Sequence, residues 1–314
     1  MTGNISAKAD KAAAKKPKKV SKYSKRKVDP AFYWMTIPAM ILVCIFLYLP
    51  FLQGAMYSFT NSQGYGDYKF IGFKNYIAMF QDARVGHAYL FTIFIAILIT
   101  LGTNILGMFL AVLLNSKIAF KNGFRAIFFI PYTLSVLVIG YVFKYIFMTP
   151  LPALGQALHI DWLSTSMISN PDLAWFPIVF LSIWQGVAYS TLLYLAGLQT
   201  IDNEIYEAAA IDGASRWKRV WHITIPGLVP TIVLLTTLAM GNVLNAGFDQ
   251  VFNMYNQLVI ETGDIIDTYV YRVGITNMQF SLATAAGLFK SVVSFVLVVT
   301  SYVCAYKFAD YKIF

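Results

Sequence analysis

Six long apolar stretches constrain this chain more than any other feature. Each is long enough to cross the ~30 Å hydrocarbon core of a membrane as a tilted helix, which takes about 20 apolar residues. None shows the short alternating pattern of a transmembrane β-strand. The sequence therefore predicts an all-α membrane protein with six transmembrane helices, at approximately residues 34–57, 89–114, 126–148, 174–198, 227–252 and 281–306.

The positive charges indicate the orientation of these helices. If the N-terminus is cytoplasmic, 18 of the 24 Lys and Arg residues lie on the cytoplasmic side, four lie outside and two lie within spans. This asymmetry follows the positive-inside rule and predicts that both termini are cytoplasmic. The net charge of +9 is therefore explained by topology, and nucleic acid is not expected as a partner. Ten of the basic residues precede residue 28, so residues 1–33 are predicted to be a disordered cytoplasmic segment and residues 34–314 the transmembrane domain.

The connection at residues 199–226 is the longest cytoplasmic one and is rich in helix-forming residues. From Glu207 it reads EAAAIDGASRWKRVWHITIP and ends at Pro226. Residues 204–212 favour a helix, Gly213 supplies a break or a left-handed position, and residues 214–222 favour a second helix. Trp217 and Trp221 give that second helix an aromatic face. The pattern alone leaves two interpretations open, an anchor in the lipid headgroup region and a contact with a protein partner.

This segment resembles the cytoplasmic signature of ABC importer permeases, which is E-A-A, three residues, Gly, nine residues and I-x-L-P. Ile225 stands where the family usually has Leu. The resemblance implies a type I importer permease fold, in which these helices dock in an ATPase subunit and transmit its closure. Glu207 would make the polar contact, Ala208 and Ala209 would allow close approach, and Gly213 would give the turn. The matching positions are Glu207, Ala208, Ala209, Gly213, Ile223 and Pro226, and Asp212 is common in the sugar importers of the family.

Other segments are similar to the polysaccharide and oligosaccharide branch of the maltose-permease-like carbohydrate group. They are FIPYTLS at residues 129–135, GNVLNAGFDQVF from Gly241, DTYVYRVG from Asp267 and ATAAGLFKSVV from Ala283. The resemblance implies a carbohydrate cargo, a second homologous permease subunit, two ATPase subunits, an extracellular solute-binding protein and the plasma membrane of a prokaryote. ATP and Mg²⁺ would be used by the partner ATPase. We expect no metal site in this chain, because His87, His159 and His222 lie far apart in different loops. We also expect no cofactor and no catalytic residue, and ATP hydrolysis is not expected because the GLFKS segment lacks the spacing of a phosphate-binding loop.

Polar groups inside the predicted spans are the candidates for a cargo pathway, because such groups are costly in lipid. Asn242, Asn245 and Asp249 have spacings of three and four, which would set them on one face of the fifth span. Amides, carboxylates and aromatic rings suit a sugar, which presents hydroxyls and apolar ring faces. The structural alternative is hydrogen bonding between helices, with Asp249 paired to Lys290. The fourth and sixth spans add Gln185, Tyr189 and Lys290 to the candidates.

Three other functions compete with that of a carbohydrate importer. An ion-gradient-driven secondary transporter would use Asp249 and Lys290 as a relay. An ABC importer permease could instead carry a non-sugar solute such as glycerol phosphate. A membrane-embedded enzyme or assembly factor is disfavoured because no pair of catalytic groups occurs at either membrane face.

Overall fold

The computed structural model describes residues 30–116, 120–245, 247–254 and 257–309, and its regular elements there are helices apart from a single bridge between Thr60 and Phe70. Most of the predicted basic segment, residues 1–29, lies outside the described residues. The chain divides into two compact units, residues 1–52 and residues 53–314.

The described part of the first unit is one long apolar helix with a π-helical insert. Helix α1 (Pro30–Val43) is followed by a π segment at Cys44–Tyr48 and then by α2 (Leu49–Tyr57), which continues into the second unit. Proline is favourable at the start of a helix, where its missing N–H would have no partner. Residues 32–57 are long and apolar enough to span a membrane, and they contain the predicted first span.

The second unit is built from helices of very different lengths. The long ones are α4 (Ala83–Asn115), α8 (Trp175–Leu198) and α16 (Phe280–Ala309). Between them lie α3 (Lys74–Gln81), α5 (Lys121–Thr133), α6 (Val136–Met148), α7 (Pro150–Ala157), α9 (Asn203–Ile211), α10 (Arg216–Arg219), α11 (Ile225–Gly227), α12 (Val229–Gly241), α13 (Phe248–Met254), α14 (Ile260–Gly263) and α15 (Ile266–Tyr271). Over the described residues of both units, five helices could cross a membrane, or six if the pair 216–227 and 229–241, bent by 54°, counts as one span.

Helices α4 and α8 pack closely because small residues face each other. A Cβ atom on Gly107 would lie 2.7 Å from Cβ of Ser190, and one on Gly186 would lie 3.0 Å from the methyl group of Thr103. A Cβ atom on Gly102 would overlap the side chain of Ile183. Small residues at a helix interface let the two backbones approach, which is the usual way in which transmembrane helices associate.

Two predicted spans are interrupted. The stretch at 126–148 consists of α5 and α6, because Leu134 and Ser135 both have extended backbone angles. The stretch at 227–252 ends as a helix at Gly241 and resumes at Phe248. Gly247 between them has φ of +70°, a left-handed conformation that glycine adopts without strain and that no continuous α-helix contains. The prediction of one continuous helix was wrong in both places.

The close packing of α4 and α8 can be tested with two substitutions on the same helix. We expect Gly107→Leu to destabilise the protein by about 1–3 kcal/mol, the usual effect of overpacking a filled interface. Gly86→Ala is the matched control, because a Cβ atom there would meet nothing within 4 Å. Thermal unfolding in detergent measures the difference, and equal melting temperatures for the two variants would contradict the packing.

Candidate functional site

The cytoplasmic signature folds as the predicted pair of helices. Its first helix, α9, begins after Asp202, whose side chain accepts a hydrogen bond from the N–H of Glu204 at 2.9 Å. An aspartate in this position satisfies one of the free N–H groups at a helix start. Helix α9 carries Glu207 and Ala208 on its exposed surface, and Ala209 is half-buried.

The turn between the two helices requires the glycine. The N–H of Ala214 donates to the carbonyl of Ala209 at 2.9 Å, and the N–H of Gly213 donates to that of Ala210 at 3.2 Å. This bond pair is a Schellman motif, which needs a left-handed residue just past the helix end. Gly213 has φ of +77°, and a Cβ atom added to it would meet nothing within 4 Å. Glycine is therefore required here by the backbone angle and not by a lack of space for a side chain. The neighbouring Asp212 is exposed.

The second helix of the signature is longer than predicted. Ser215 caps α10 through a hydrogen bond from the N–H of Lys218 at 3.3 Å. The helix then passes through a π segment at Val220–Thr224 and into α11, which contains Pro226. The prediction that this helix ends near residue 222 was wrong, because the helix continues to Gly227 and the chain bends at Leu228.

The helix pair is tied to the apolar helices at its base. The hydroxyl groups of Tyr206 and Thr224 lie 2.9 Å apart and join α9 to the π segment. Leu228, at the bend before α12, is fully buried in a cluster with Tyr194 and Leu198 of α8. The base of the helix pair is therefore packed against both α8 and α12.

The helix pair exposes large apolar side chains. Ile211 is 87% exposed, Trp217 is 72% exposed and Trp221 is 63% exposed. Glu207 is one helical turn before Ile211 on α9 and is also exposed. Large exposed apolar side chains grouped in this way mark a surface that contacts a partner or a membrane.

A second candidate region lies where α5, α8 and α13 meet. The amide of Gln185, which is buried, donates to the carbonyl of Pro131 at 3.5 Å and accepts from the amide of Gln250 at 3.4 Å. One turn further along α8, the exposed ring of Tyr189 is stacked on the exposed ring of Tyr132, with centroids 6.1 Å apart. Gln185 therefore joins α8 to α5 and α13, whereas the ring of Tyr189 remains exposed to solvent or lipid.

The three polar residues of the fifth span do not share one helix face. Asn242 ends α12, Asn245 lies in the break, and Asp249 lies in α13. The amide of Asn245 donates to the side-chain oxygen of Asn242 at 3.5 Å. All three side chains are exposed, so polar groups lie on the surface in and beside the break. The prediction that they share one face of a continuous helix was wrong.

Lys290 has a different partner from the one considered in the sequence. Its ammonium group forms an ion pair with Asp267 of α15, so the hypothesis of a pair with Asp249 was wrong. Asp267 lies between the predicted fifth and sixth spans, in a stretch that the structure shows to be largely helical. Lys290 therefore links α16 to α15 and does not join the group around Asp249.

Helix α15 is also bound to the start of α4. The hydroxyl of Tyr269 donates to the carboxylate of Asp82 at 3.0 Å. Asp264 and Arg272, which flank α15, form an ion pair with each other. The hydrogen bond from Arg84 lowers the pKa of Asp82, and burial raises the pKa of Tyr269 to about 12. The carboxylate is therefore kept charged as an acceptor for the phenol, which fixes the position of α15.

Sequence reasoning missed Asn253. This buried residue donates to the carbonyl of Asp249 at 2.6 Å, and its own carbonyl accepts from Lys144 of α6 at 3.2 Å. It was overlooked because it falls just past the predicted fifth span, although its spacing of four from Asp249 was a usable signal. Within the described ranges, no group of three or more His, Cys, Asp or Glu side chains could hold a metal ion.

Comparison with known proteins gives the following similarities. Residues 103–308 match the model of the family described as "Binding-protein-dependent transport system inner membrane component". The multiple sugar-binding transport system permease protein MsmF of Streptococcus mutans is 38% identical, over 82% of this chain and 89% of the relative.

Two solved structures of a bacterial alginate transporter have a similar chain. One is an ABC transporter involved in the import of the acidic polysaccharide alginate, with a TM-score of 0.79 and 27% identity over 89% of this chain and 96% of that one. The other is an alginate ABC transporter in complex with an alginate pentasaccharide-bound periplasmic protein, with a TM-score of 0.76 and 28% identity over 88% and 94%.

The hydrogen bond between Tyr206 and Thr224 can be tested by hydrogen exchange. We expect Tyr206→Phe to speed amide exchange in residues 203–224 by about fivefold, because one intramolecular hydrogen bond contributes about 1 kcal/mol. Tyr141→Phe is the control, since that ring is exposed on α6. If both variants exchange like the parent protein, Tyr206 does not hold the two helices together.

Proposed function

Because the chain belongs to the family of binding-protein-dependent transport system inner membrane components, we propose that it is the permease subunit of an ATP-driven importer that carries a carbohydrate into the cytoplasm. The family match confirms the resemblance seen in the signature at residues 207–226. One observation carries the functional conclusion: an exposed helix pair whose base is buried among α4, α8 and α12. Such an element can receive a partner's movement and pass it to the spanning helices.

A protein partner fits the exposed face of the helix pair better than a lipid surface does. On α9, Glu207 precedes the exposed Ile211 by one turn, and this helix has no basic residue that would attract anionic headgroups. A protein cleft can offer both an apolar surface and a hydrogen-bond donor for the acid. In this proposal Glu207 makes the polar contact with an ATPase subunit, Ala208 and Ala209 permit close approach, and Gly213 with Asp212 forms the turn.

The driving reaction belongs to the partners. Two ATPase subunits would bind and hydrolyse ATP with Mg²⁺, and their closure would press on the helix pair. The bend at Leu228 then turns this movement toward α12, while Tyr194 and Leu198 carry it to α8. The permease itself performs no chemistry and alternates between outward-open and inward-open states.

A carbohydrate cargo is supported by the relatives and by the exposed polar groups. Similar chains belong to a multiple sugar-binding transport system and to an importer of the acidic polysaccharide alginate. In this chain the stacked rings of Tyr132 and Tyr189 offer a flat surface for a sugar ring, and Asn245 and Asp249 offer partners for hydroxyls. The ion-gradient alternative is disfavoured, because the relay it needs is broken by the pair of Lys290 with Asp267.

The assembly follows from the same proposal. The chain is a multi-pass protein of a bacterial inner membrane, and we place six spans in it with both termini in the cytoplasm, in keeping with the charge asymmetry. A second, similar permease subunit would complete the cargo pathway. A binding protein outside the membrane would deliver the sugar, as the periplasmic protein in the similar alginate complex supports.

Coupling can be tested at Gly213. A β-branched residue in the left-handed region costs at least about 1–2 kcal/mol, whereas Asn tolerates that region. We therefore expect Gly213→Val to reduce ATP-driven sugar uptake about 5- to 30-fold in the assembled importer and Gly213→Asn to retain most of it. Uptake in membrane vesicles measures this, and normal uptake in Gly213→Val together with normal uptake in Glu207→Lys would refute the coupling role.

The cargo surface can be tested with the variant Asn245→Ala/Asp249→Ala. Both side chains are exposed, so we expect normal assembly and a weaker stimulation of ATP hydrolysis by the sugar-loaded binding protein. A loss of about tenfold corresponds to removing about 1.4 kcal/mol of contact with the cargo. Gln185→Leu is the contrasting variant, because the buried amide joins helices and its loss should lower thermal stability. Equal loss of assembly in both variants would favour a structural role for the break.

A further inference from the structure

A cavity with a partly polar lining lies where the helix pair meets the end of α4. Its volume is about 470 Å³, and its walls come from the ends of α4 and α8 and from the helices that follow. The polar side chains around it are Asn115, Ser116, Tyr206, Arg216, Arg219 and Thr224. Nothing in the proposed coupling mechanism uses this space.

Two arginines give the cavity a positive charge. Among the described residues, neither Arg216 nor Arg219 has a carboxylate partner. Nε of Arg219 is buried and has no hydrogen-bond partner in the part of the chain that the structure describes. A buried donor without an acceptor is unfavourable, and more so when the group is charged. The cavity therefore lacks an acceptor that carries negative charge.

The remaining groups suit the same kind of ligand. Asn115 and Ser116 lie exposed at the end of α4. The hydroxyl of Ser116 donates to the carbonyl of Leu113 at 2.6 Å, which leaves the amide of Asn115 as the neutral donor there. The hydroxyls of Tyr206 and Thr224 are engaged with each other. None of the described lining residues is acidic. Guanidinium groups with neutral donors beside them are the usual means of holding a phosphate.

The position of the cavity indicates where such a ligand could come from. The apolar run of α4 ends at Asn115, so the cavity lies level with the end of a spanning helix, where phospholipid phosphates also lie. A dissolved phosphate compound could enter from the aqueous side. We propose that this cavity binds the phosphate group of an anionic ligand, either a phospholipid or a phosphate-bearing solute.

Binding would brace the helix pair. A phosphate held by Arg216 and Arg219 on one side and by the amide of Asn115 on the other would link the second helix of the pair to α4. The cavity would then set how freely the helix pair moves against the spanning helices. This regulatory consequence rests on the proposed function, whereas the binding itself does not.

The test uses the purified full-length chain in nanodiscs and needs no ATP. In one arm the nanodiscs contain phosphatidylcholine alone and inorganic phosphate is titrated at constant ionic strength. In the other arm phosphatidylglycerol is added and phosphate is left out. Thermal unfolding is followed by tryptophan fluorescence, and we expect a saturable rise in melting temperature in at least one arm. A rise with phosphate identifies a solute site, and a rise with phosphatidylglycerol alone identifies a lipid site.

Matched variants decide whether the cavity is responsible. We expect Arg216→Gln to weaken the apparent affinity at least about tenfold, the effect of losing one charge-assisted hydrogen bond. Lys218→Gln removes the same charge from the same helix outside the cavity and should behave like the parent. Asn115→Asp places a carboxylate at the exposed end of α4 and should abolish binding while both arginines stay in place.

Three outcomes would overturn the proposal. The first is no rise in melting temperature in either arm. The second is an equal loss in Lys218→Gln and Arg216→Gln, which would indicate general attraction between charges. The third is unchanged binding in Asn115→Asp. Because no outcome depends on uptake or on ATP hydrolysis, a failure here is distinguishable from a failure of the proposed function.

Discussion

The close approach of α4 and α8 is the contact on which the rest of the second unit depends. Glycines at positions 102, 107 and 186 remove the side chains that would hold these helices apart. In a membrane, apolar side chains gain little by leaving lipid for one another, so close van der Waals contact and hydrogen bonds must supply the association energy. With the pair fixed, α8 can support a polar junction near its middle through Gln185 and a buried apolar cluster at its end around Leu198.

The two candidate regions are therefore joined by a single rigid element. One region contains the break between α12 and α13 and the stacked tyrosines. The other contains the helix pair at 203–227. Helix α8 contacts α5 and α13 through Gln185, and it contacts the bend at Leu228 through Tyr194 and Leu198. This arrangement gives a physical route by which a push on the helix pair could change the surface exposed to a cargo. In the same arrangement, the base of the helix pair is packed against α8 and α12, whereas its large apolar side chains remain exposed.

Charge is distributed differently in the two regions. In the part that the structure describes, Lys290, Arg272 and Arg84 each pair with an aspartate, and the pair of Lys290 with Asp267 joins α16 to α15. The hydrogen bond from Tyr269 to Asp82 joins α15 to the start of α4. Beside the helix pair, Arg216 and Arg219 line a cavity, and neither arginine has a carboxylate partner among the described residues. An ion pair between helices holds them in position, whereas an arginine without a described carboxylate partner can still accept an anion.

The sequence by itself determined the class of protein, the apolar helices and the local structure of the signature. Long apolar runs must be helical in lipid, and a glycine after EAAAID specifies a Schellman turn, since both effects depend on neighbouring residues alone. Only the tertiary structure decided where the third and fifth spans break, that Lys290 pairs with Asp267, and that Arg216 and Arg219 face the end of α4. These features depend on which distant side chains meet after packing. Spacing along one helix could not reveal them, because it assumed a continuous helix through Asn245 and Gly247, where the chain in fact turns.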